Sequence, residues 1–438
     1  MDASVFLQHI VAVPYRNRDG ADPTMPSAFS IASLARPGTP IPAARYTGFP
    51  RYNFSGGHND PASTPVAALR AAADAVLARE GHALATYGLD SGPQGYLPLR
   101  QFLVGKLARQ AGIACSAGDI LITSGSLQGL DLVNGLLIAP GDTVLIEADC
   151  YGGTIARLQA LGAKIVGVPI DGEGLRPDAL AATLERLTRD GVRPKFLYTI
   201  PTIQNPTASV LPLARRHAML RLCMQHNLLI FEDECYSDLV FSGTRPPALL
   251  ALARESGWDG VIHIGSFSKS IAPALRVGYV VAGWEVISRL LALKTDAGSG
   301  ALEQMVLAEF CAAHFDAHVV GLNAALRRKA DALVAALAEQ FGTAAEFVVP
   351  AGGIFLWVTL PEPVDTSRLA EVAGKAGIAF NAGAEWSVAD PDHARRRLRL
   401  CFANPTVEVI AEGVAALAAV CHQEFGVPAR IANVRQGA

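Results

Sequence analysis

The sequence predicts an α/β protein in two parts. A large domain carries a mostly parallel, seven-stranded sheet between helices, and a smaller α+β domain follows it. Three observations carry this reading. The chain has 438 residues, more than one hydrophobic core normally holds. From about Gly118, short apolar runs alternate with amphipathic helical stretches, which is how parallel strands covered on both faces read. Helical periodicity then dominates from Glu285 to Phe341, with a break at Asp296–Gly300, as expected of a connector into a second domain.

Taken in order, residues 1–60 are rich in Pro, Gly and Arg and read as an extended arm, with a short helix near Pro26–Ala35. The large domain is assigned to residues 61–325. Its strands are Ile120–Thr123, Thr143–Ile146, Ile165–Pro169, Phe196–Thr199, Leu228–Glu232, Val261–Gly265 and Gly278–Ala282. Helix-like stretches such as Leu127–Leu137, Arg176–Arg189 and Leu211–His226 lie between them. The small domain, residues 326–438, carries strands near Phe347–Val349 and Ile354–Val358, a helix at Thr366–Ala376, a strand at Arg397–Phe402 and a final helix.

Composition narrows the function. With 37 basic and 40 acidic residues, net charge −3, there is no basic patch for nucleic acid and no acidic tail, which leaves small-molecule chemistry. Seven scattered cysteines without a CxxC pair read as reduced thiols, and neither a disulfide framework nor a metal site is expected. The first residues lack the pattern of an export signal. The apolar runs are broken by charge or glycine too soon to span a bilayer, so a soluble, cytoplasmic protein is expected.

Several motifs carry chemistry. Lys269 lies in GSFSKSIAPALRVGY, residues 265–279, with Ser266 and Ser268 before it and Arg276 after it. A lone lysine at a strand end reads as a snorkelling charge. Here hydroxyls and a guanidinium that suit a phosphate stand beside an amine able to form a Schiff base with a carbonyl. TSGSLQGL, Thr123–Leu130, places a strand end, a Gly turn and a helix start in sequence, an anion site by backbone N–H groups and dipole, though Ser126 serves equally as an ordinary cap. LIFEDECYSDLVF, Leu229–Phe241, ends a strand in three carboxylates, where open α/β sheets bind ligands. One carboxylate buried there needs a cation. The solvated alternative suits Glu232 and Glu234 better than Asp233. Arg399 alternates with Leu398 and Leu400 and so points away from them, whereas Arg395, Arg396 and Arg397 read as a solvated charge run.

These motifs, in this order from about Pro26 to Phe402, resemble fold-type I pyridoxal-phosphate (PLP) enzymes, in particular class I/II aminotransferases of the aminoadipate and kynurenine kind. The resemblance implies a Schiff base on Lys269 and a phosphate held by Gly125, Ser126, Leu127, Ser266, Ser268 and Arg276. It pairs Asp233 with the pyridine nitrogen, and Tyr236 and Asn205 with the phenolic oxygen, and it stacks Tyr151 on the ring. Arg399 would clamp the substrate α-carboxylate near Gly57 and Asn205. Tyr87, in ATYGLDSGPQGYLPLR, would reach the other subunit's phosphate, implying a homodimer with shared sites and with Thr295–Gly300 at the interface. The implied reaction is ping-pong transamination between an α-amino acid and an oxo acid. Elimination, decarboxylation or substitution on the same residues stays open, because each begins with one bond broken at Cα. A PLP-binding regulatory module is the reading from another class, and it would need a DNA-binding domain that residues 1–60 are too short to supply. The chain departs from the pattern at Ser30, which follows Pro26-Ser27-Ala28-Phe29 where an arginine is usual, at the inserted segment Ile41–Arg51, at His58-Asn59, at Asp149 and at Ala208. A larger or less usual amino acid is the expected substrate.

Overall fold

All seven expected strands form, each within one residue of its expected ends. In the computed structural model they are β1 (Ile120–Ser124), β2 (Thr143–Glu147), β3 (Lys164–Val168), β4 (Phe196–Thr199), β5 (Leu229–Asp233), β6 (Val261–Ser266) and β7 (Val277–Val281). The structure describes residues 31, 34–35, 42–43, 45–388 and 390–429. The strand order is β1-β7-β6-β5-β4-β2-β3, with β7 antiparallel to both neighbours and the other pairs parallel. The reversal follows from chain length: only Phe267–Arg276 connect β6 to β7, too few residues for a parallel crossover.

Period-two alternation divides the strand residues between two cores. Ile120 and Ile122 join helices Leu97–Ala111, Pro177–Arg189 and Leu213–Gln225 on one face, while Leu121 joins Ser126–Leu137 and Trp284–Leu293 on the other. A second, antiparallel sheet of β8 (Glu346–Phe347), β9 (Phe355–Thr359), β10 (Asn381–Ala382) and β11 (Arg397–Cys401) runs in the order β8-β9-β11-β10. Its core includes Leu369 of helix Thr366–Lys375 and Leu417 of helix Val407–Phe425.

Helix Ala301–Phe341 joins the two cores: Met305, Phe310 and Phe315 pack in the first, and Leu326, Leu333 and Phe341 in the second. This corrects one expectation. Its apolar run is long and apolar enough to cross a membrane by length and composition, and it is instead a core helix whose apolar side chains are buried at both ends. Two helices left unassigned by the sequence, Val66–Glu80 and Leu97–Ala111, precede β1. The first is alanine-rich, which favours helix without imprinting a clear apolar stripe. The end of the expected arm belongs to the C-terminal layer: Tyr52–Asn53 pairs in parallel with Ile378–Ala379, and Phe54 is buried in the second core. The helix expected near Pro26–Ala35 lies mostly outside the described residues, as does Ser30, and so do parts of Ile41–Arg51.

Candidate active site

The loops leaving β1, β5 and β6 meet β10 and β11 around a cavity of about 330 Å³. At one end stands an anion cradle. Gly125, at φ +74°, is the N-cap of helix Ser126–Leu137, so Ser126 is the first helical residue and makes no side-chain cap bond. The first backbone N–H groups of that helix, at Ser126 and Leu127, have no acceptor within the helix. Ser266, Ser268 and Arg276 line the same end. Arg276 reaches Ser268 Oγ at 3.5 Å and the Pro273 carbonyl at 3.1 Å, and it has no carboxylate partner among the described residues. Two glycines keep the cradle open. A Cβ at Gly125 would overlap Arg276 Nη2, and one at Gly278 would stand 2.5 Å from the Ser126 nitrogen.

The three carboxylates at the end of β5 have separate partners. Both Glu232 and Glu234 are buried, against the expectation of a solvated turn. Glu232 is 2.8 Å from His263 Nδ1, and Glu234 is 3.2 Å from Arg245 and 3.6 Å from Arg216. Asp233, between them, is buried without a cationic partner among the described residues. It accepts from Tyr198 Oη at 2.6 Å and from the Cys235 N–H at 3.1 Å, and burial pushes its carboxyl above the usual range. That carboxylate calls for a cation from a ligand.

Lys269 lines the same cavity. Its Nζ donates to the Gly57 carbonyl at 2.5 Å, and burial, with Arg399 and Arg276 adding like charge, lowers its pKa to about 8. Asn59 donates to the carbonyls of Lys269 and Ile271 at 3.3 and 3.4 Å, so one of the departures noted above holds the lysine loop in place. Asn205 Nδ2 donates to Tyr236 Oη at 3.3 Å, and both line the cavity with Tyr151. Ala208, another departure, sits at φ +59°, the left-handed region that favours glycine.

Arg399 answers to the cavity as its alternation implied. It is buried, donates to Asn205 Oδ1 at 2.9 Å, to Asn381 Oδ1 at 2.8 Å and to the Gly56 carbonyl at 2.6 Å, and lies 4.1 Å from the centre of the Trp386 ring. No carboxylate neutralises it among the described residues. Arg397 departs from the solvated reading: it is part-buried and paired with Asp149 and His393. The structure does not bring Tyr87 to this cavity. It is 88% exposed and lines a separate cavity with Asp296, Ala297 and Gly298.

Sequence reasoning missed a supporting layer. Glu147, at the end of β2, accepts from Thr199 Oγ1 at 2.6 Å and from Gln204 Nε2 at 3.0 Å, and burial raises its pKa to about 7. Gln204 also donates to the Asp149 carbonyl at 2.7 Å, which fixes the turn that presents Asn205. Asn381, Glu385 and Trp386 line the cavity and were not singled out. The signal for Gln204 was its place beside Asn205; the other three come from β10 and the helical turn after it, whose neighbours only the fold supplies.

A cavity lined by an anion cradle, by a carboxylate without a cationic partner among the described residues and by an amine defines a site for a phosphorylated, cationic carbonyl compound. Aminotransferase class I and II matches residues 50–417, and the chain belongs to that family. It is an aminotransferase of fold-type I architecture. It is 35% identical over 364 residues to a 2-aminoadipate transaminase of Thermus thermophilus, covering 83% of this chain and 88% of that protein. It superposes with a TM-score of 0.78 on the crystal structure of LysN, an alpha-aminoadipate aminotransferase from Thermus thermophilus complexed with N-(5'-phosphopyridoxyl)-L-leucine, at 34% identity, covering 85% of this chain and 92% of that one. It is also 33% identical over 325 residues to YdfD, an uncharacterized HTH-type transcriptional regulator of Bacillus subtilis, covering 74% of this chain and 65% of the regulator.

Proposed function

We propose that the protein holds pyridoxal phosphate through Lys269 and moves the amino group of an α-amino acid to an oxo acid. The observation that carries this reading is Asp233. It is a buried carboxylate without a cationic partner among the described residues, flanked by two that have side-chain partners, in the same cavity as an uncancelled anion cradle. The residues fit the cofactor: Gly125, Ser126, Leu127, Ser266, Ser268 and Arg276 would take its phosphate, Asp233 its ring N–H, and Tyr236 with Asn205 its phenolic oxygen. Bound there, it supplies an aldehyde for the substrate amine and a ring that draws electrons from Cα.

The chain's own residues do the rest. Arg399 presents two N–H groups to the substrate α-carboxylate, which fixes the Cα–H bond relative to Lys269. An amine of pKa about 8 is neutral often enough near pH 7.5 to accept the Cα proton and return it. Asp233, as a carboxylate, keeps the ring nitrogen protonated; a close pair is worth about 4 kcal/mol at an effective dielectric near 20. Tyr151 and Trp386, 5.9 Å apart between ring centres, wall the cavity against water.

The same reading places Tyr87 and Thr295–Gly300 at a dimer interface with shared sites. Their common exposed cavity, away from Lys269, supports it. Domain bounds of 61–325 and 326–438 are supported by the handover between cores along helix Ala301–Phe341. Seven unpaired cysteines support a reducing compartment, the cytoplasm.

The test is chemical. Borohydride reduction of the holoenzyme followed by peptide mass analysis is expected to place the cofactor on Lys269. An amino-acid panel is expected to give oxo acids, with the aminated cofactor left behind. Products that have lost carbon dioxide or a side-chain group would overturn transamination in favour of another reaction at Cα.

A further inference from the structure

The cavity contains one charged side chain that the proposed chemistry leaves unused. Glu385 lies in the short turn Gly383–Trp386, next to the Trp386 ring that covers Arg399. Glu385 is part-buried, its carboxylate has no hydrogen bond or ion pair among the described residues, and this partial burial pushes its carboxyl up to about 7. The three cations lining the cavity are already committed: Lys269 and Arg276 to the cofactor, Arg399 to the α-carboxylate. No further lysine or arginine lines it among the described residues, so Glu385 is the one charged group that this described wall leaves for a substrate side chain.

We infer that Glu385 receives the substrate side chain and selects α-amino acids bearing an N–H donor, amide or cationic, over those bearing a second carboxylate. This rests on the transamination proposed above and specifies its substrate class. The physical argument is desolvation. A carboxylate partly withdrawn from water and left unpaired is costly, so a ligand that supplies a donor there is favoured. A ligand that brings a like charge into the same enclosed space is repelled. The relative named for 2-aminoadipate is named for a dicarboxylic substrate; the one charged side chain that this described wall leaves uncommitted favours the opposite charge.

The closing experiment is a single-turnover reaction of the holoenzyme, followed by cofactor absorbance at pH 8, where Glu385 is ionised. The amino acids are L-glutamine, L-arginine, L-glutamate and L-norleucine. Glutamine and glutamate match in size and differ in donor against carboxylate. Wild-type protein is expected to favour glutamine over glutamate by at least about 10-fold in kcat/KM. Glu385→Gln should shrink the glutamine-to-glutamate ratio by about 10-fold or more, and Glu385→Arg should reverse it. Holoenzyme spectra check that each variant has folded and loaded. If norleucine reacts but the ratio favours glutamate, or is the same in wild type and Glu385→Gln, the inference is overturned while transamination stands. If no amino acid in a full panel converts the cofactor in the wild type, the proposed reaction itself falls.

Discussion

Three adjacent carboxylates at one strand end have three different fates, and their neighbours decide which. Glu234 is neutralised by Arg245 and Arg216, and Glu232 is taken up by His263 and the Leu249 and Leu250 N–H groups, so only Asp233 is left to hold a ligand's cation. Asp233→Asn is therefore expected to retain cofactor but slow Cα-proton exchange by about 100-fold or more, read by loss of substrate deuterium into solvent. Unchanged exchange would remove Asp233 from the site. Lys269 makes a prediction about stability. Below about pH 8 its amine is protonated in both folded and unfolded chains, and burying that charge costs the fold its full penalty. Between about 8 and the ordinary value of 10.5 the unfolded chain keeps the proton that the folded one has lost, so stability rises with pH. The penalty at pH 7 is at most about 3 kcal/mol, less because the amine is only partly buried. Lys269→Met should thus stabilise the cofactor-free protein in urea at pH 7 and lose most of that advantage by pH 10. Equal gains at both values would show that the amine is not held low.

Among the elements, the anion cradle depends on how closely β7 approaches the helix start. Gly278 is paired with Thr123 and Ser266, and a methyl group there would meet the Ser126 nitrogen at 2.5 Å and the Gly125 carbonyl carbon at 2.7 Å. Both are backbone atoms and cannot swing aside. Gly278→Ala is expected to push the helix N-terminus off the cradle and weaken cofactor affinity by about 10-fold or more, measured by titration of the cofactor-free protein. Helix Leu213–Gln225 anchors the end of β5. Its Arg216, fully buried, donates to the Leu211 and Pro201 carbonyls and to Thr202 Oγ1, and sits beside Glu234. Arg216→Leu strands those acceptors and should cost about 3 kcal/mol in denaturant unfolding. A loss within experimental error would mean that Arg245 alone neutralises Glu234.

At the scale of the whole molecule, one chain does not gather every residue expected at the site. Tyr87 is exposed beside Asp296–Gly298, away from the Lys269 cavity. The active unit is expected to be a dimer by light scattering. Mixing Tyr87→Phe with Lys269→Ala subunits should restore part of the activity, since one hybrid site carries both lesions and the other neither. An active monomer would sink the shared-site reading. The segments that follow β2 and β10 also meet directly. The Cys150 N–H donates to the Trp386 carbonyl at 2.8 Å, the Val388 N–H donates to the Ala148 carbonyl at 2.9 Å, and Asp149 pairs with Arg397.

What the sequence determined by itself was local: seven strands with their faces, the Gly125–Leu127 turn, the Lys269 loop and the outlying orientation of Arg399. Each follows from periodicity, turn chemistry or residue type within a dozen positions. The tertiary structure alone decided who pairs with whom. Glu234 reads as a surface charge until Arg216 and Arg245 are brought to it, and Arg397 reads as one of a solvated run until Asp149 arrives from the other sheet. Glu147, Gln204 and Glu385 carry no motif, and their meaning lies in burial and in the groups across the cavity from them. Periodicity states which way a side chain points. The energy of a buried charge depends on what stands opposite, and that is set by strand order and by contacts between residues far apart in the chain.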